Sequence, residues 1–313
     1  MALQQVAILG LGVIGASLGL ALRRGDPALT VVGFDIDGGA MSRGVRSGAV
    51  VRSAGTLAEV CRGADVVVLA TPVRAILQLL PEIASHVADG ALVTDTGGTK
   101  REIIRVAEAN LPPGAAFVGG HPLTGLLTAG VHEPSAVLFD GAVYCLTASP
   151  NVPEWAMQCA VDLVQTAGSQ PRWLDADEHD GLLAAVSHLP YFLSAALVSS
   201  LAAQGSWTEM GRMAAGGFKS VSAVTDSDPQ VWADVASTNR ENVVRQIDLL
   251  LDRLTEIRDL VAGGDEQLLP ELHHVQEAHR AWLIQRGEAT GGAADSTAAE
   301  PRSSSWMGRL RRT

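Results

Sequence analysis

The sequence predicts an α/β fold, in which a doubly wound parallel sheet is followed by an all-α region. Short apolar runs alternate with helix-compatible segments, which is typical of a parallel sheet covered by helices on both faces. A glycine-rich turn follows the first apolar run directly. Near residue 175 the pattern changes, and apolar residues then recur at helical spacing. We therefore predict domains at 1–175 and 176–287 and a disordered, Ala/Gly/Ser/Thr-rich tail at 288–313.

Individual elements follow from the same patterns. Seven apolar runs are predicted as strands: 6–9, 30–34, 65–70, 91–94, 115–118, 142–146 and 171–174. The clearest helix is predicted after Asn239, a good N-cap residue, and ends at Gly263 and Gly264. Its wide apolar stripe needs a partner surface, which either the same domain or a second copy of the chain can supply.

The glycine-rich turn has the spacing of a dinucleotide-binding fingerprint. Gly10, Gly12 and Gly15 stand in a G-x-G-x-x-G pattern, and helix-compatible residues continue from Val13 and Ile14. In such a turn the first glycine permits the bend, the second lets backbone approach a pyrophosphate, and the third lets helix and strand pack closely. The N–H groups that begin the helix face the anion. All five residues are therefore predicted to bind the cofactor, in a fold of the Rossmann type.

An acid stands where the ribose of the cofactor is expected. Asp35 ends the second apolar run, twenty residues after Gly15. A carboxylate there accepts hydrogen bonds from a ribose 2′-hydroxyl and repels a 2′-phosphate, so we predict NAD rather than NADP. Thr71, Pro72 and Gly97 follow the next two runs. They are predicted to line the same site, because ligands of open parallel sheets bind at the carboxyl ends of the strands.

Composition and charge narrow the classes of partner to small molecules. The net charge of −11 argues against nucleic acid, which requires a basic face. We find no apolar run of the ~18 residues that span a bilayer and no signal-peptide pattern, so we expect no membrane contact. Cys61, Cys145 and Cys159 lack metal-ligand spacing and cannot all pair, which fits a reducing compartment. We expect a cytoplasmic protein without a metal site.

His121 is the first candidate catalytic residue. It lies just after a predicted strand, in the segment Gly119-Gly120-His121-Pro122, where a cofactor and its substrate would meet. A neutral imidazole accepts a proton near neutral pH, which suits the oxidation of an alcohol by NAD. The alternative is a loop histidine bonded only to backbone. The preceding turn, 95–100, has two glycines and a hydroxyl that suit a phosphate, a carboxylate or the nicotinamide amide.

Two further histidines, His179 and His188, lie in the helical half. On a continuous α-helix their separation of nine residues puts them on opposite faces, so they are not expected to share a ligand. Pro190 is expected to kink the helix at His188 and to expose backbone carbonyls there. His188 stands in an apolar stretch and has two interpretations, a substrate ligand or a hydrogen-bonded core histidine.

With these segments in place, the chain resembles the prephenate/arogenate dehydrogenase family over about residues 5 to 286. The matching segments occur in the same order: Gly10 to Gly15, Asp95 to Lys100, Gly119 to Gly125, His179-Asp180, Ser187 to Pro190, Gly216 to Lys219 and Ser227 to Pro229 with Trp232. The resemblance implies a nicotinamide-binding domain, a helical dimerisation domain and a homodimer. It also implies oxidative decarboxylation of prephenate to 4-hydroxyphenylpyruvate on the route to tyrosine, with hydride transfer to NAD.

The resemblance also implies residue roles. His121 matches the family histidine that bonds the C4 hydroxyl of the substrate and draws off its proton. His188 matches a histidine that helps to hold the substrate. Gly120, Thr124 and Lys219 lie in matching segments and are predicted to bind substrate as well.

Several positions depart from the family pattern. A serine that partners the catalytic histidine falls on Gly98, and the neighbouring Thr99 is the candidate catalytic hydroxyl in its place. An arginine that clamps a substrate carboxylate falls on Ala223, a polar pair falls on 126–127, and a second histidine falls on Tyr191. Four cations are candidates to replace the arginine: Lys100, Arg212, Lys219 and Arg240.

Three hypotheses remain at this point. The order of the segments favours an NAD-dependent prephenate dehydrogenase. The departures motivate a second hypothesis, an arogenate (cyclohexadienyl) dehydrogenase. They also motivate a third, an NAD-binding regulatory protein that has lost catalysis.

Overall fold

The N-terminal part of the chain forms a sheet, in a computed structural model that describes residues 3–124 and 133–286. Its strands are β1 (Gln5–Leu9), β2 (Thr30–Phe34), β3 (Arg52–Ser53), β4 (Val66–Leu69), β5 (Leu92–Asp95), β6 (Ala116–Leu123), β7 (Val143–Thr147) and β8 (Gln170–Trp173). They are ordered β3-β2-β1-β4-β5-β6-β7-β8. The helices between them are α1 (Val13–Gly25), α2 (Gly38–Arg46), α3 (Leu57–Cys61), α4 (Val73–Ile83), α5 (Arg101–Asn110) and α6 (Glu154–Thr166).

The predicted α/β fold is confirmed, and its sheet is parallel except for one antiparallel pair that the sequence did not indicate. β6 and β7 pair in antiparallel fashion, with Gly119 opposite Thr147 and His121 opposite Cys145. The other neighbouring strands are parallel. An apolar segment indicates that a strand is buried, but it does not indicate whether the strand is parallel or antiparallel to its neighbours. β3 was missed altogether, because its two residues are exposed and carry no apolar signal.

The core of the sheet has two layers, one on each face. Along β1, Val6 and Ile8 join one cluster of buried side chains, and Ala7 and Leu9 join the other. Successive side chains of a strand point to opposite faces, so a strand that is apolar throughout is buried on both. Because β1, β4, β5 and β6 run parallel to one another, their carboxyl ends lie at one common edge, where the segments that follow them meet.

Between β8 and residue 286, where the described part of the chain ends, the regular elements are helices. They are α7 (Ala176–Leu183), a π-helical turn (Ala184–His188), α8 (Leu189–Ala202), α9 (Trp207–Met213), α10 (Gly216–Ser222), a 3₁₀ turn (Ala223–Asp226), α11 (Pro229–Thr238), α12 (Arg240–Gly263) and α13 (Asp265–Gln285). The predicted end of α12 is confirmed, since Gly264 follows it with a φ of 102°. The predicted tail, 288–313, lies outside the described residues.

The chain divides into two compact units, residues 1–248 and a second that begins at Leu249. The first holds the sheet and the helices through the first part of α12. Within the second, Arg253 of α12 forms an ion pair with Glu271 of α13. Apolar side chains of both helices, such as Leu251 and Leu272, are more than half exposed in the single chain.

One helical stretch bears on the expectation that no apolar segment is long enough to span a bilayer. Residues Ala176–Ala202 are long and apolar enough, by length and composition only, to cross a bilayer, with a mean hydropathy of 1.6. Charged residues near its start interrupt the run of apolar residues, whereas the hydropathy averaged over 18 residues stays high. A single helix of this kind is weak evidence for a membrane, because the core helix of a soluble protein passes the same test.

Candidate active site

The glycine turn after β1 has the backbone geometry that a dinucleotide requires. Gly10 has a φ of 98°, and its N–H donates to the Phe34 carbonyl at 2.8 Å. A Cβ on Gly10 would lie 2.5 Å from the Ala70 carbonyl oxygen, and one on Gly15 would lie 1.9 Å from that of Gly10. A Cβ on Gly12 would meet no atom of the described residues within 4 Å. Gly10 and Gly15 thus shape the turn, while Gly12 leaves open space beside it.

Asp35 lies at the carboxyl end of β2, against this turn. Its Oδ2 accepts a hydrogen bond from the Leu11 N–H at 2.7 Å, and its Oδ1 accepts one from Asp37 at 2.8 Å. The carboxylate is half-buried. Val13 and Ile14, also half-buried, form the first turn of α1, whose N-terminal N–H groups have no partner within the helix.

The other predicted cofactor residues line the same edge of the sheet. The Thr71 hydroxyl is buried without a hydrogen-bond partner among the described residues, and the methyl group of the same side chain lies beside Gly10. Pro72 is the N-cap of α4, and Gly97 donates its N–H to Asp95 Oδ2 at 2.7 Å. An unpartnered hydroxyl next to a turn that leaves room for backbone approach fits a dinucleotide well.

His121 belongs to a cluster of histidines in the first unit. Its Nδ1 lies 3.0 Å from Nε2 of His179, with the two rings in an edge-to-face arrangement. His179 Nδ1 in turn lies 2.8 Å from Asp180 Oδ1. His179 and Asp180 are fully buried, whereas His121 is half-buried. His121 is therefore the member of this chain of contacts that reaches an accessible surface.

Strand β6 carries His121, which corrects the expectation that it stands in a loop after the strand. The antiparallel pairing with β7 extends β6 as far as Leu123. Burial lowers the pKa of His121 well below its usual 6.5, and the nearby His179, Lys100 and His188 lower it further. The backbone of His121 is thus held in the sheet, and its side chain favours the neutral imidazole.

Lys100 and Asp95 brace the strand ends beneath His121. Both side chains are fully buried and form an ion pair. Lys100 Nζ also donates to the Gly120 carbonyl at 2.7 Å, and the Gly120 N–H donates to Asp95 Oδ1 at 3.0 Å. Burial lowers the pKa of Lys100, while the Asp95 carboxylate opposes that shift. Both backbone polar groups of Gly120 are therefore used inside the sheet, so its predicted contact with substrate gains no support from these bonds.

Asp180 joins the helical region to the sheet. Besides His179, its carboxylate accepts the N–H groups of Lys100 at 2.7 Å and Arg101 at 3.0 Å, where α5 begins. Its backbone carbonyl accepts from the Asn239 amide at 2.7 Å. Asn239 was predicted as the N-cap of α12, but its side chain serves this contact and lies 3.3 Å from His188 Nδ1.

The π-helical turn changes the relation between His179 and His188. Leu189 donates its N–H to the Ala184 carbonyl, five residues back, and Pro190 has no N–H to continue an α-helical ladder. One extra residue in the turn makes nine residues behave like eight, which puts the histidines ~80° apart rather than on opposite faces. The expectation of opposite faces, which assumed a continuous α-helix, was therefore wrong.

His188 lies in the interior beside Trp232. It is 1% exposed, and its ring centroid is 6.4 Å from that of Trp232, on which Tyr191 stacks at 4.1 Å. Burial lowers the pKa of His188 to about 4, although Asp180 and a hydrogen bond to the Gly98 backbone oppose the shift. Both interpretations from sequence keep support, since His188 is a buried, hydrogen-bonded histidine that also neighbours His121.

The structure does not bring Thr99 to His121. The Thr99 hydroxyl lies 2.9 Å from that of Thr238, whose own hydroxyl donates to the Asp234 carbonyl. Thr99 therefore donates to Thr238 and ties the start of α5 to α11. Its proposed catalytic role gains no geometric support, because its proton is committed to that contact.

Other predicted substrate residues are more scattered. Lys219 is exposed on α10, and Thr124 is half-buried at the end of β6. Arg212 is paired with Glu209 at 2.6 Å. Leu126 and Leu127 lie outside the described residues. Within residues 3–124 and 133–286, no three His, Cys, Asp or Glu side chains are grouped to hold a metal ion.

The sequence analysis named His179, Asp180 and Asn239 but gave none of them a role in the site. A signal for the first two was present, because a histidine directly followed by an acid offers a donor and an acceptor at adjacent positions. Nothing local in the sequence indicates that Asn239 faces His188, since that contact joins residues 51 positions apart.

Comparisons with known proteins agree with this arrangement. Residues 18–171 match the family model described as "Prephenate dehydrogenase, nucleotide-binding domain", and residues 175–275 match "Prephenate dehydrogenase, dimerization domain". A prephenate dehydrogenase of Lactococcus lactis subsp. cremoris is 31% identical over 276 residues, which cover 85% of this chain and 74% of that protein. The chain belongs to the prephenate dehydrogenase family.

Solved structures show the same relation. The prephenate dehydrogenase of A. aeolicus in complex with hydroxyphenyl propionate and NAD⁺ has a TM-score of 0.82 and 27% identity, over 93% of this chain and 99% of that one. An arogenate dehydrogenase of Synechocystis has a TM-score of 0.72 and 25% identity, over 90% and 100% of the two chains. The chain is thus similar to solved structures of proteins named for either substrate.

Proposed function

We propose that this chain catalyses the NAD-dependent oxidative decarboxylation of prephenate to 4-hydroxyphenylpyruvate, with His121 as the base. The observation that carries the proposal is the half-buried His121 at the carboxyl edge of the sheet, with its Nδ1 held 3.0 Å from His179. The glycine turn and Asp35 lie at the carboxyl ends of β1 and β2 in the same sheet. A base and a dinucleotide cradle on one sheet edge suit a dehydrogenase.

NAD, when bound, accepts the hydride that leaves C4 of the substrate ring. His121 takes the proton of the C4 hydroxyl, so that the C4 oxygen becomes a carbonyl. The ring carboxylate then leaves as carbon dioxide, and its bonding electron pair enters the ring, which becomes aromatic. His121 returns its proton to the resulting phenolate, so one prephenate and one NAD⁺ give one 4-hydroxyphenylpyruvate, one carbon dioxide and one NADH.

We propose that the residues that bind the cofactor lie at the same edge of the sheet. The pyrophosphate is bound by the glycine turn (Gly10, Gly12 and Gly15) together with Val13 and Ile14. The ribose is bound by Asp35. Thr71, Pro72 and Gly97 line the remainder. The unpartnered Thr71 hydroxyl supports this assignment, because a bound polar ligand would satisfy it.

A substrate carboxylate needs a cation, and Ala223 removes the usual arginine. Lys100 is buried in its ion pair with Asp95, and Arg212 is paired with Glu209. Lys219 of α10 and Arg240 of α12 are both exposed. We propose Lys219 as the carboxylate ligand, because it lies in the matching segment Gly216 to Lys219. Replacing Lys219 with Met is expected to raise KM for the substrate with little change in kcat, because uniform binding is lost.

Arogenate is the second candidate substrate. Arogenate carries an ammonium group where prephenate has a keto oxygen, so its net charge is less negative and suits a site that lacks one cation of the family pattern, at Ala223. The similar Synechocystis protein is also named for arogenate. A comparison of kcat/KM for prephenate and arogenate, each with NAD and with NADP, decides between them. NADH formation at 340 nm that stays at the level of a boiled control with both substrates would instead support the non-catalytic, regulatory hypothesis.

We further propose a homodimer built by the helical domain at 176–287. Apolar side chains of α7, the π-turn and α8 are exposed in the single chain: Leu182, Val186 and Leu193. The family model that matches 175–275 is described as a dimerization domain. A second copy that covers these side chains also accounts for the apolar stretch at 176–202. Light scattering coupled to gel filtration is expected to give twice the mass of the chain, and the mass of one chain would contradict the proposal.

A further inference from the structure

We propose that His179, held by Asp180, is a positioning residue that keeps the proton of His121 on Nδ1 and leaves Nε2 bare as the catalytic acceptor. This inference rests on the proposed function only for its effect on catalysis. The arrangement of protons itself is a property of the folded chain. His179 does not touch substrate in this proposal and acts through His121.

The direction of the hydrogen bonds follows from the carboxylate at one end. Asp180 accepts the N–H groups of Lys100 and Arg101 through its two oxygens. An ionised carboxylate offers only acceptors, and two backbone donors at a helix start favour that form. His179 Nδ1, 2.8 Å from Asp180 Oδ1, must therefore carry a proton and donate it to the carboxylate.

In the inferred arrangement His179 is neutral, and the next bond then follows from the first. A neutral imidazole that is protonated on Nδ1 has a bare Nε2 that accepts. His179 Nε2 therefore accepts the hydrogen bond from His121 Nδ1 at 3.0 Å. His121 is then protonated on Nδ1, and its Nε2 is left as an acceptor. The opposite tautomer of His121 would bring two bare nitrogens together.

Burial makes this order of protons rigid. His179 is 0% exposed and Asp180 is 1% exposed, so water does not compete for their polar atoms. Asp180 is anchored at the start of α5 and, through its carbonyl, to Asn239. Such a partner orients a catalytic imidazole and selects its tautomer, as carboxylate partners do in other histidine sites.

Charged and titratable groups around His121 favour its neutral form. His179 and His188 face it from α7 and the π-turn, and Lys100 faces it from the turn before α5. A positive charge on any of these groups disfavours protonation of His121, whereas the Asp180 carboxylate lies behind His179. The acid limb of the pH profile of kcat/KM is therefore expected below pH 6.5.

The direct test is nuclear magnetic resonance of the full chain with ¹⁵N-labelled histidine, without substrate. Long-range ¹H–¹⁵N correlations are expected to show His121 as the Nδ1–H tautomer, with the Nε2 shift of a bare nitrogen. Signals are assigned by their loss in His121→Asn and His179→Gln. An Nε2–H tautomer or an imidazolium at His121 near pH 7.5 would overturn the inference.

The kinetic test uses two substitutions that differ in one acceptor. His179→Phe removes the acceptor and is expected to lower kcat ~10–100-fold with an unchanged Kd for NADH, the range for loss of a partner that orients a functional histidine. His179→Gln keeps an amide oxygen near the position of Nε2 and is expected to recover part of kcat. It is also expected to move the acid limb less than His179→Phe does. His86→Gln, on an exposed histidine, is the matched control.

The results separate this inference from the proposed function. If the Nδ1–H tautomer is observed but no cyclohexadienyl substrate is turned over, the function is wrong and the arrangement of protons stands. If His179→Phe folds and keeps kcat within about twofold of the native chain, the positioning role is wrong and the function stands. If His179→Phe does not fold, the tautomer of the native chain and the kinetics of His179→Gln still decide.

Discussion

The Asp35 carboxylate and the Leu11 N–H are joined by a hydrogen bond of 2.7 Å, which holds the acidic end of β2 against the glycine turn. The second carboxylate oxygen accepts from Asp37. Each oxygen of an ionised carboxylate has a further lone pair, so both remain able to accept from a ligand. Asp35 is thus fixed in position by the fold and has acceptor capacity left.

Asp35 is expected to select NAD over NADP. Asp35→Ala should weaken NADH binding ~10–100-fold, because hydrogen bonds to a charged group contribute ~1.5–3 kcal/mol, and should narrow the gap to NADPH. The measurement is the Kd of both reduced dinucleotides by fluorescence titration. Glu82→Ala, on an exposed residue of α4, is the control. A native preference for NADPH would show that the role of Asp35 is misassigned.

His121→Asn is expected to lower kcat by ~10²–10⁴ while it leaves the Kd for NADH unchanged, because general-base catalysis is lost and the glycine turn is untouched. Product formation is followed both at 340 nm and by the 4-hydroxyphenylpyruvate formed. Turnover equal to that of the native chain would remove His121 from the mechanism.

Two glycines of one turn are expected to respond differently to the same substitution. In Gly15→Ala the new Cβ would lie 1.9 Å from the Gly10 carbonyl oxygen, so the turn must shift and the melting temperature should fall. In Gly12→Ala the Cβ enters open space, so the melting temperature should hold while NADH binding weakens. Calorimetry and titration on both variants provide the measurement. Equal losses of stability would contradict these separate roles.

The parts of the site that could be predicted from the sequence are those in which one residue type serves a local backbone need. Gly10 and Gly15 are examples, because a positive φ or a close carbonyl admits only glycine there. Asp35 is another, since its place at the end of a strand follows from strand length alone. The seven predicted strands are confirmed for the same reason, as an apolar run needs no distant partner to be recognised.

The parts that could not be predicted depend on contacts across the fold. The antiparallel β7 places His121 inside a strand, and no apolar pattern encodes strand direction. The π-turn before Pro190 rotates His188 by a full residue step. Thr99 was chosen for its hydroxyl, yet that hydroxyl donates its hydrogen bond to Thr238, 139 positions later. Each of these outcomes depends on a contact between residues far apart in the chain, and the local sequence does not indicate which partner is used.

The two lysines of the chain are expected to differ in their effect on stability. Lys100→Met leaves the buried Asp95 carboxylate without its ion-pair partner, which should lower the free energy of unfolding by ~3–5 kcal/mol. Lys219→Met, on the exposed α10, should change it by less than ~0.5 kcal/mol. Urea unfolding followed by circular dichroism compares them. A loss at Lys219 as large as that at Lys100 would show that burial is not the cause.

Stability is expected to fall as the pH is lowered from 7 to 5, because His188 is buried in its neutral form. Its pKa is lowered to about 4 in the folded chain, against 6.5 as its usual value, so the unfolded chain binds the proton first. Over this interval the difference lowers the free energy of unfolding by about 2 kcal/mol, and the lowered pKa of His121 adds to the loss.

Urea unfolding at pH 7, 6 and 5 measures the slope, and most paired carboxylates titrate below this window. His86→Gln, on an exposed histidine, is the control and is expected to keep the native slope. In His188→Gln the slope should become shallower by about 2 kcal/mol over the same interval, because the group that takes up the proton on unfolding is gone. A native slope in His188→Gln would mean that His188 is not kept neutral by the fold, and its place in the interior would then need another explanation.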